Sequence, residues 1–465
     1  MQDLIEDLLD IVGPAGILSG VDIGARYLNT RGHGTAGRAL CVVRPGTPAE
    51  VARVLSACHS RSQTVVAQGG MTGLVGGGAP GDGDVILSTE RLTRIESLDA
   101  DGLTLVAEAG VILQTAQEAC AAAGFELPLD LGARGSATLG GVISTNAGGV
   151  RVIRHGMMRD NVLGLEAVLA DGTVLSSMNR MLKNNAGYDL KQLFIGSEGT
   201  LGVVTRAVIK LRPRPKAVVT AFVGSRAVTD VIELLRHLQS EMGAELGSFE
   251  VMWPEYDAFV RARCPNLRPP LPVGPEFTAL AEFLCGDARG AEDRVTSVLN
   301  DALARGLIVD AVLAKSERER AAFWAVREGA GEGMRAIQPY FVYDVSMPIG
   351  GMPIFGDRVR AEIGSRFPGA TTLVLGHMGD GNLHVVASVG AGDAHLGDAH
   401  HHRAVDEIVY GIIRDLGGSI SAEHGIGVEK RTYLSWSRTP EEISVMRALK
   451  TALDPRGLLN PGKVL

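Results

Sequence analysis

The chain has 465 residues and a formal charge of −8, with 45% hydrophobic and 21% charged residues. This length allows two or three domains, and the acidic balance argues against a nucleic-acid partner. No apolar run reaches the roughly 18 residues that a membrane-spanning helix needs, so no transmembrane segment is expected. The five cysteines are scattered and suggest neither a disulfide framework nor a thiolate zinc site. We therefore expect a reduced, cytoplasmic protein.

The first elements of the chain are predicted from periodicity and capping. Acidic and apolar residues alternate over residues 1–12, which predicts an amphipathic helix that ends at Gly13. Thr47-Pro48-Ala49-Glu50 forms a capping box, which predicts the start of a second helix with a stripe of apolar residues. A short strand is expected at residues 63–67.

Three glycine-rich segments follow, at residues 68–78, 130–149 and 183–204. Dense glycine lets backbone N–H groups approach a pyrophosphate, although a flexible surface loop is the alternative for any one segment. Three such segments favour one long dinucleotide that lies across the domain. Residues 76–81 match the glycine spacing of the Rossmann dinucleotide-binding motif. We reject a Rossmann fold here, because Pro80 lies inside the motif and no amphipathic helix follows it.

The second half of the chain begins after a proline- and arginine-rich break at residues 212–215. Two β-α-β passages, at residues 218–251 and 278–313, predict an α+β domain with an antiparallel sheet. A later predicted helix carries Arg327. By spacing alone, a surface arginine paired with Glu328 is a simpler interpretation than a clamp for a carboxylate.

A pair of histidines in a predicted hairpin is the strongest candidate for chemistry. His377 and His384 flank an Asp-Gly turn between two apolar, strand-like runs. Two imidazoles need a third, usually anionic, ligand to hold a divalent ion with one position open, and Glu423 is the best candidate. The neighbouring His424 is then the candidate general base. The alternative is a pair of glycine-rich turns with incidental histidines.

These segments, together with the closing run at residues 454–463, resemble the vanillyl-alcohol-oxidase type of flavoprotein, the PCMH-type FAD-binding superfamily. Within it they resemble the FAD-dependent D-2-hydroxyacid dehydrogenases, the branch with D-lactate and D-2-hydroxyglutarate dehydrogenases. The resemblance covers nearly the whole chain and implies an α+β fold. It implies a two-subdomain PCMH-type FAD-binding domain at 1–213, an α+β cap domain with an antiparallel sheet at 214–420, and a C-terminal helical segment at 421–465 that returns to the FAD domain.

The resemblance also implies which residues contact FAD. The predicted cofactor-binding residues are Gln68, Gly69, Gly70, Thr72, Gly73, Gly135, Ser136, Thr138, Gly141, Ser144, Asn146, Gly149, Glu198, Gly199, Gly202, Val203 and Asn460. Family members with covalent flavin place a His or Cys beside the cofactor. Neither occurs in the first glycine loop, so non-covalent FAD is expected. Gly73 is also expected to need unusual backbone dihedrals.

The family's activity gives each polar residue an expected role. The chain would oxidise a D-2-hydroxyacid to the 2-oxoacid, with hydride passing to flavin N5 and electrons to a non-NAD acceptor. An electron-transfer flavoprotein, a quinone or a cytochrome is the expected acceptor, and a homodimer is one expected assembly. The metal at His377, His384 and Glu423 is expected to be zinc, with iron or manganese as alternatives. Arg327 would hold a substrate carboxylate, in place of the surface role that spacing favours, and Asn382 would orient the substrate or a ligand.

Two positions depart from the family's dicarboxylate pattern. Gly331 stands where Ser or Thr is usual, and Val342 stands where Lys is usual. The second carboxylate of 2-hydroxyglutarate would lose both contacts, so the choice among D-2-hydroxyglutarate, D-lactate and similar acids stays open.

Three other functions remain open from the sequence. One is the flavin-carrying catalytic subunit of a glycolate-oxidase-like complex. Another is the ether-lipid synthase branch, whose motif resembles three consecutive histidines where this chain has Ala422-Glu423-His424. The third is a metallohydrolase without flavin, in which the glycine loops are only structural.

Overall fold

The computed structural model describes residues 2–28, 37–390, 392 and 394–465. The chain divides into two compact units. The first unit comprises Met1–Gly149, His155–Arg214 and Glu423–Leu465, and the second comprises Val150–Arg154 and Pro215–Ala422. The C-terminal segment therefore belongs to the same unit as the N-terminal half. The domain boundaries predicted at residues 213 and 420 stay predictions.

The chain up to residue 213 contains seven helices and eleven strands among the described residues. In order they are α1 (Gln2–Val12), β1 (Ile17–Ser19), β2 (Cys41–Val43), α2 (Pro48–Ser60), β3 (Val65–Gln68), β4 (Val85–Ser88), β5 (Ile95–Asp99), β6 (Thr104–Glu108), α3 (Leu113–Ala122), β7 (Phe125–Glu126), α4 (Leu139–Ser144), α5 (Val152–His155), α6 (Met158–Asn161), β8 (Val162–Val168), β9 (Val174–Ser177), α7 (Lys191–Phe194), β10 (Val203–Lys210) and β11 (Arg212–Pro213).

The strands of the first unit form two main sheets. A mixed four-stranded sheet has the order β1-β2-β4-β3, and an antiparallel five-stranded sheet has the order β5-β6-β10-β8-β9. β7 and β11 form a separate pair. Each main sheet has its own core of buried aliphatic side chains. These two sheets correspond to the two predicted subdomains.

Helix α2 shows how local sequence builds this unit. The Thr47 hydroxyl accepts a hydrogen bond from the Glu50 backbone N–H at 3.2 Å, and Pro48 occupies the first turn. The apolar stripe of α2 is buried in the core of the four-stranded sheet. The predicted second helix and its buried face are confirmed, as is the N-terminal helix α1.

The second unit is built on one seven-stranded antiparallel sheet in the order β15-β12-β14-β13-β17-β18-β16. Its elements are β12 (Ala217–Ser225), α8 (Val228–Met242), β13 (Leu246–Met252), α9 (Pro254–Arg263), β14 (Phe277–Cys285), α10 (Ala291–Ala304), β15 (Asp310–Leu313), α11 (Glu317–Glu328), α12 (Gly331–Met334), β16 (Phe341–Ser346), α13 (Met352–Arg366), β17 (Thr371–His377), β18 (Asn382–Ser388) and α14 (Ala399–Asp415). The two predicted β-α-β passages interleave, because β14 lies between β12 and β13. The predicted α+β domain with an antiparallel sheet is confirmed.

The register of this sheet places four polar side chains on one face. Glu250 on β13 pairs with His377 on β17, and His384 on β18 pairs with both Leu375 on β17 and Asp344 on β16. Directly paired residues point to the same face of a sheet, and so do residues two apart in one strand. Glu250, His377, His384 and Asp344 therefore share a face.

The last helix, α15 (Pro440–Leu453), lies in the C-terminal segment, which is part of the first unit. The Asn460 side chain accepts from the Ala67 backbone N–H at 2.9 Å and donates to the Glu198 carbonyl at 2.6 Å. The Glu198 carboxylate in turn accepts from the backbone N–H groups of Ile426 and Gly427, at 2.7 and 2.8 Å. The predicted return of this segment to the FAD domain is confirmed.

The structure also describes the length of the helices and the state of the cysteines. Within the described part of the chain, no helix combines the length and apolarity needed to cross a membrane. All five cysteines are buried, each as a free thiol.

Candidate active site

A cavity of about 310 Å³ lies within the first unit and is lined by all three glycine-rich segments. Fourteen of the predicted cofactor residues line it. They are Gln68, Gly69, Gly70, Thr72, Gly73, Thr138, Gly141, Ser144, Gly149, Glu198, Gly199, Gly202, Val203 and Asn460. Glu423 and His424, from the C-terminal segment, also line this cavity.

Three predicted cofactor residues, Gly135, Ser136 and Asn146, are not among the lining residues. Ser136 lies behind the first loop, because its carbonyl packs against the backbone of Gly70. The Asn146 side chain accepts from the backbone N–H of Arg159 at 2.8 Å. The cofactor roles of these three residues stay predictions, and the Asn146 side chain is the one with a protein partner described here.

The reason for a glycine differs from one position of the first glycine-rich loop to the next. A Cβ atom at Gly70 would collide with the Ser136 carbonyl, and one at Gly69 would collide with the Thr138 hydroxyl. Close packing between two segments therefore requires glycine at both positions. Gly73 has no left-handed φ and has open space where a Cβ would stand. The expectation of unusual dihedrals at Gly73 is wrong.

Backbone strain appears instead at non-glycine residues of the cavity. Met71, Glu198 and Asn460 line it with φ of 52°, 52° and 43°. Non-glycine residues in the left-handed region cost of the order of 1–3 kcal/mol and tend to cluster at ligand-binding sites. Sequence patterns did not identify Met71, because a methionine between glycines carries no polar signal.

Two polar side chains of the cavity are held in buried positions. Gln68 donates from Nε2 to two backbone carbonyls at 2.8 Å, while its buried Oε1 has no hydrogen-bond partner among the described residues. Burial raises the pKa of Glu198, and the hydrogen bonds from Ile426 and Gly427 act against that rise. A buried acceptor without a donor, in a glycine-lined cavity, fits a ligand with its own N–H or O–H groups, as FAD has.

The second unit brings His377, His384 and Arg327 together. The Nε2 atoms of His377 and His384 are 3.3 Å apart. Arg327, on α11, places Nη2 3.2 Å from the same His377 Nε2 atom. Two of the three predicted metal ligands and the predicted substrate arginine therefore form one cluster, which we call the histidine–arginine cluster.

Glu250 is the residue of this cluster that sequence analysis missed. Its side chain is fully buried, and its two oxygens contact His377 Nδ1 at 2.6 Å and Arg327 Nε at 2.7 Å. Burial opposes ionisation of Glu250, but electrostatic attraction and hydrogen bonds from His377 and Arg327 outweigh it and lower the pKa of this carboxyl to about 2. Burial also disfavours the guanidinium charge, yet Glu250 raises the pKa of Arg327 above its ordinary value. A glutamate within an apolar strand gave no local signal of this role.

A second buried carboxylate, Asp344, lies beside His384. Its Oδ1 atom is 3.9 Å from His384 Nδ1 and accepts a hydrogen bond from Asn382 Nδ2 at 2.9 Å. The Asp344 carboxylate also accepts from the backbone N–H of Ala422 at 3.0 Å. Asn382 is thus fixed by its amide nitrogen, and its buried Oδ1 has no hydrogen-bond partner among the residues that the structure describes.

Comparisons with known proteins identify the family of this chain. The FAD binding domain family model matches residues 39–177, and the model for FAD linked oxidases, C-terminal domain, matches residues 214–464. The chain is 40% identical to the mitochondrial D-2-hydroxyglutarate dehydrogenase of Bos taurus, over 92% of this chain and 77% of that protein. It is 37% identical to the mitochondrial D-2-hydroxyglutarate dehydrogenase of Arabidopsis thaliana, over 93% and 76%.

Two solved structures are similar in fold. p-Cresol methylhydroxylase with substrate bound has a TM-score of 0.77 at 16% identity, covering 100% of this chain and 96% of that one. Alkyldihydroxyacetonephosphate synthase has a TM-score of 0.76 at 19% identity, covering 99% and 86%. At these identities the likeness shows the fold alone.

The fold, the cavity and the two family matches define an FAD-linked oxidoreductase with a PCMH-type FAD-binding domain. The sequence identity to the two dehydrogenases extends over more than nine tenths of the chain, so the family within this class can be stated. The chain belongs to the FAD-dependent D-2-hydroxyacid dehydrogenases. The predicted family, fold and FAD cofactor are confirmed, and the metallohydrolase alternative without flavin is excluded.

The predicted cytoplasmic location is contradicted, because the relatives from Bos taurus and Arabidopsis thaliana are both mitochondrial proteins. That prediction rested on reduced cysteines. Free thiols report the redox state of a compartment and do not identify it.

Proposed function

We propose that this chain oxidises D-2-hydroxyacids with the help of a divalent metal ion, for which His377 and His384 supply two ligands. The observation that supports this is the 3.3 Å separation of their Nε2 atoms. Two imidazole nitrogens, each about 2.0–2.1 Å from a tetrahedral zinc ion, would lie about 3.3 Å apart. The pair therefore fits a zinc ion, the metal we propose. Glu423 keeps its sequence-based role as the third ligand.

Each polar residue then has a defined task. A divalent ion held by His377 and His384 would act as a Lewis acid that lowers the pKa of the substrate hydroxyl. FAD, when bound, supplies the acceptor for the C2 hydride. His424 is the proposed general base, which takes the hydroxyl proton at an imidazole nitrogen. Asn382 offers its buried Oδ1 atom as an acceptor that helps to orient the substrate.

Arg327 is suited to bind a substrate carboxylate. Glu250 accepts from its Nε atom at 2.7 Å, so the guanidinium is anchored on one side. Nη1 makes no hydrogen bond with the described residues. A fixed guanidinium with donors to spare binds a carboxylate with little loss of side-chain entropy. The surface pairing with Glu328, which spacing favoured, is not the contact that holds this side chain.

The relatives support D-2-hydroxyglutarate as the first substrate to test. The departures at Gly331 and Val342 support weak discrimination between this dicarboxylate and D-lactate. Val342 is 47% exposed on β16 and offers no donor, and a Cβ at Gly331 would meet open space. The second carboxylate of 2-hydroxyglutarate therefore receives neither the lysine nor the hydroxyl contact that is usual in the family.

We also propose non-covalent FAD and an electron acceptor other than NAD, such as an electron-transfer flavoprotein, a quinone or a cytochrome. The test is steady-state dye reduction by the isolated chain against a panel of D- and L-2-hydroxyacids, together with metal analysis. D-acids should be oxidised by protein that contains FAD and about one zinc per chain. Faster oxidation of L-acids, rapid NAD reduction, or full activity in metal-free protein would each overturn part of this proposal. Inactivity of the isolated chain would favour the role of a subunit in a larger complex.

A further inference from the structure

We propose that Glu198 is a positioning residue that holds the turn at residues 423–427 and, through that turn, His424. Glu198, Glu423 and His424 all line the cavity of the first unit. The inference rests on the proposed function for the role of His424 as the general base. The hydrogen bonds between Glu198 and the turn are present whatever that role is.

Both carboxylate oxygens of Glu198 accept from this turn. Oε1 accepts from the backbone N–H of Ile426 at 2.7 Å, and Oε2 accepts from that of Gly427 at 2.8 Å. A carboxylate that accepts from two consecutive N–H groups fixes both the distance and the orientation of the backbone that carries them. We call this pair of hydrogen bonds the Glu198 clamp. His424 stands two residues before Ile426, so the clamp limits where its imidazole can lie.

The backbone of the turn is shaped to receive the carboxylate. Gly425 and Gly427 have left-handed φ angles of 85° and 51°. A Cβ atom at Gly425 would stand 2.7 Å from Glu198 Oε1, so a side chain there would displace the carboxylate. A Cβ atom at Gly427 would meet the Val75 carbonyl at 2.0 Å. The two glycines therefore allow the turn to lie against both Glu198 and the first glycine-rich loop.

The backbone of Glu198 is itself held in an unusual conformation. Its φ of 52° lies in the left-handed region, which a non-glycine residue keeps only where the surrounding structure compensates for the strain. Here its carbonyl accepts from Asn460 Nδ2 at 2.6 Å, and its N–H donates to the Ser144 carbonyl at 2.8 Å. These two bonds hold the conformation from which the side chain reaches the turn.

The substitution Glu198→Gln keeps the size of the side chain and removes one of its two acceptors. The glutamine oxygen can accept from one backbone N–H of the turn, but the glutamine NH2 group then faces the other N–H, and neither can accept.

Glu108→Gln is a matched control. Glu108 is buried in the same unit, and its carboxylate accepts from the backbone N–H of Arg94 at 2.8 Å and from Arg94 Nε at 3.0 Å. Among the described residues, this carboxylate has no hydrogen bond to the turn at 423–427. The control therefore makes the same change to a buried glutamate without altering the turn.

Amide hydrogen exchange tests the Glu198 clamp without any substrate. The full-length parent and both variants are saturated with FAD, and exchange is followed by mass spectrometry in a peptide that contains Ile426 and Gly427. Exchange of these two amides should be about 10-fold faster or more in Glu198→Gln, because each loses the protection of a charge-assisted hydrogen bond. Glu108→Gln should exchange there at the rate of the parent.

A double-mutant cycle tests whether the clamp acts through His424. The kcat for D-2-hydroxyglutarate is measured by dye reduction in the parent, Glu198→Gln, His424→Ala and the double variant. Glu198→Gln should lower kcat by about 10- to 100-fold in the parent, because a small displacement of a catalytic group is costly. In the His424→Ala background the same substitution should lower kcat by less than about 2-fold, since the group that it positions is already absent.

The outcomes separate this inference from the proposed function. Equal exchange in the parent and Glu198→Gln would overturn the clamp. Faster exchange with the same loss of kcat in both backgrounds would show that Glu198 does not act through His424. If His424→Ala keeps the kcat of the parent, the proposed base is wrong, and the exchange rates alone then decide whether Glu198 holds the turn. If Glu198→Gln does not fold, Gly425→Ala takes its place, because its Cβ would displace the carboxylate and should give the same two results.

Discussion

Arg327→Met tests how far the histidine–arginine cluster depends on its buried ion pair. The change removes the guanidinium and keeps an unbranched side chain of similar length. Glu250 would lose its 2.7 Å hydrogen bond from Nε and remain fully buried with His377 as its partner. A buried charge that loses one of two partners is destabilising, because it stays in the protein interior with less compensation for the lost solvation.

The size of the effect follows from the pKa of Glu250. The fall of the pKa to about 2, against about 4.3 for a free glutamate, is the net result after burial has opposed it, and it corresponds to about 3 kcal/mol. Removal of Arg327 should therefore lower the free energy of unfolding by about 1–3 kcal/mol at pH 7. Because the folded-state pKa is depressed, this stabilisation is complete above pH about 4.3 and is lost as the pH falls towards about 2.

Urea unfolding followed by tryptophan fluorescence is a suitable assay, since Trp253 and Trp324 both lie in the second unit. The control is Arg358→Met, which breaks ion pairs of a partly exposed arginine with Glu362 and Asp415 and should cost less than about 1 kcal/mol. The difference between the parent and Arg327→Met should be smaller at pH 3.5 than at pH 7. Equal stability of the two arginine variants, or a difference that does not depend on pH, would refute the reasoning.

Three further predictions concern the metal, the flavin and the substrate. His377→Asn and His384→Asn should each lose bound metal and retain FAD. His424→Ala should retain metal, and its kcat should be about 10²- to 10⁴-fold lower. Metal analysis and kcat are measured side by side for the three variants, and loss of metal from His424→Ala would show that His424 is a metal ligand. Acid precipitation should release FAD into the supernatant, and a yellow pellet would instead show a covalent bond. Gly331→Ser combined with Val342→Lys should raise kcat/KM for D-2-hydroxyglutarate relative to D-lactate by about 10-fold or more, because a charged hydrogen bond is worth about 1.5–3 kcal/mol. An unchanged ratio would show that neither position faces the substrate.

Much of the fold was predictable from local sequence. Capping at Thr47 and the apolar stripe that follows it determine α2, and short apolar runs determine the two strands that carry the paired histidines. The glycine-rich segments predicted a binding site for a dinucleotide, and all three line the same cavity of the first unit. These features depend on residues close together in the chain, so their periodicity and composition are visible in the sequence.

The tertiary structure alone decided which polar groups meet. Glu250 and His377 are 127 residues apart in the chain and come together because β13 and β17 are neighbours in the sheet. Neither strand carries a local signal for that pairing, since an antiparallel neighbour is selected by the packing of the whole unit. The surroundings of Gly70 and Gly73 also differ for a reason that only the tertiary structure shows. Both were predicted from one glycine-rich loop, but only the fold shows that a distant carbonyl packs against Gly70 and that Gly73 faces open space.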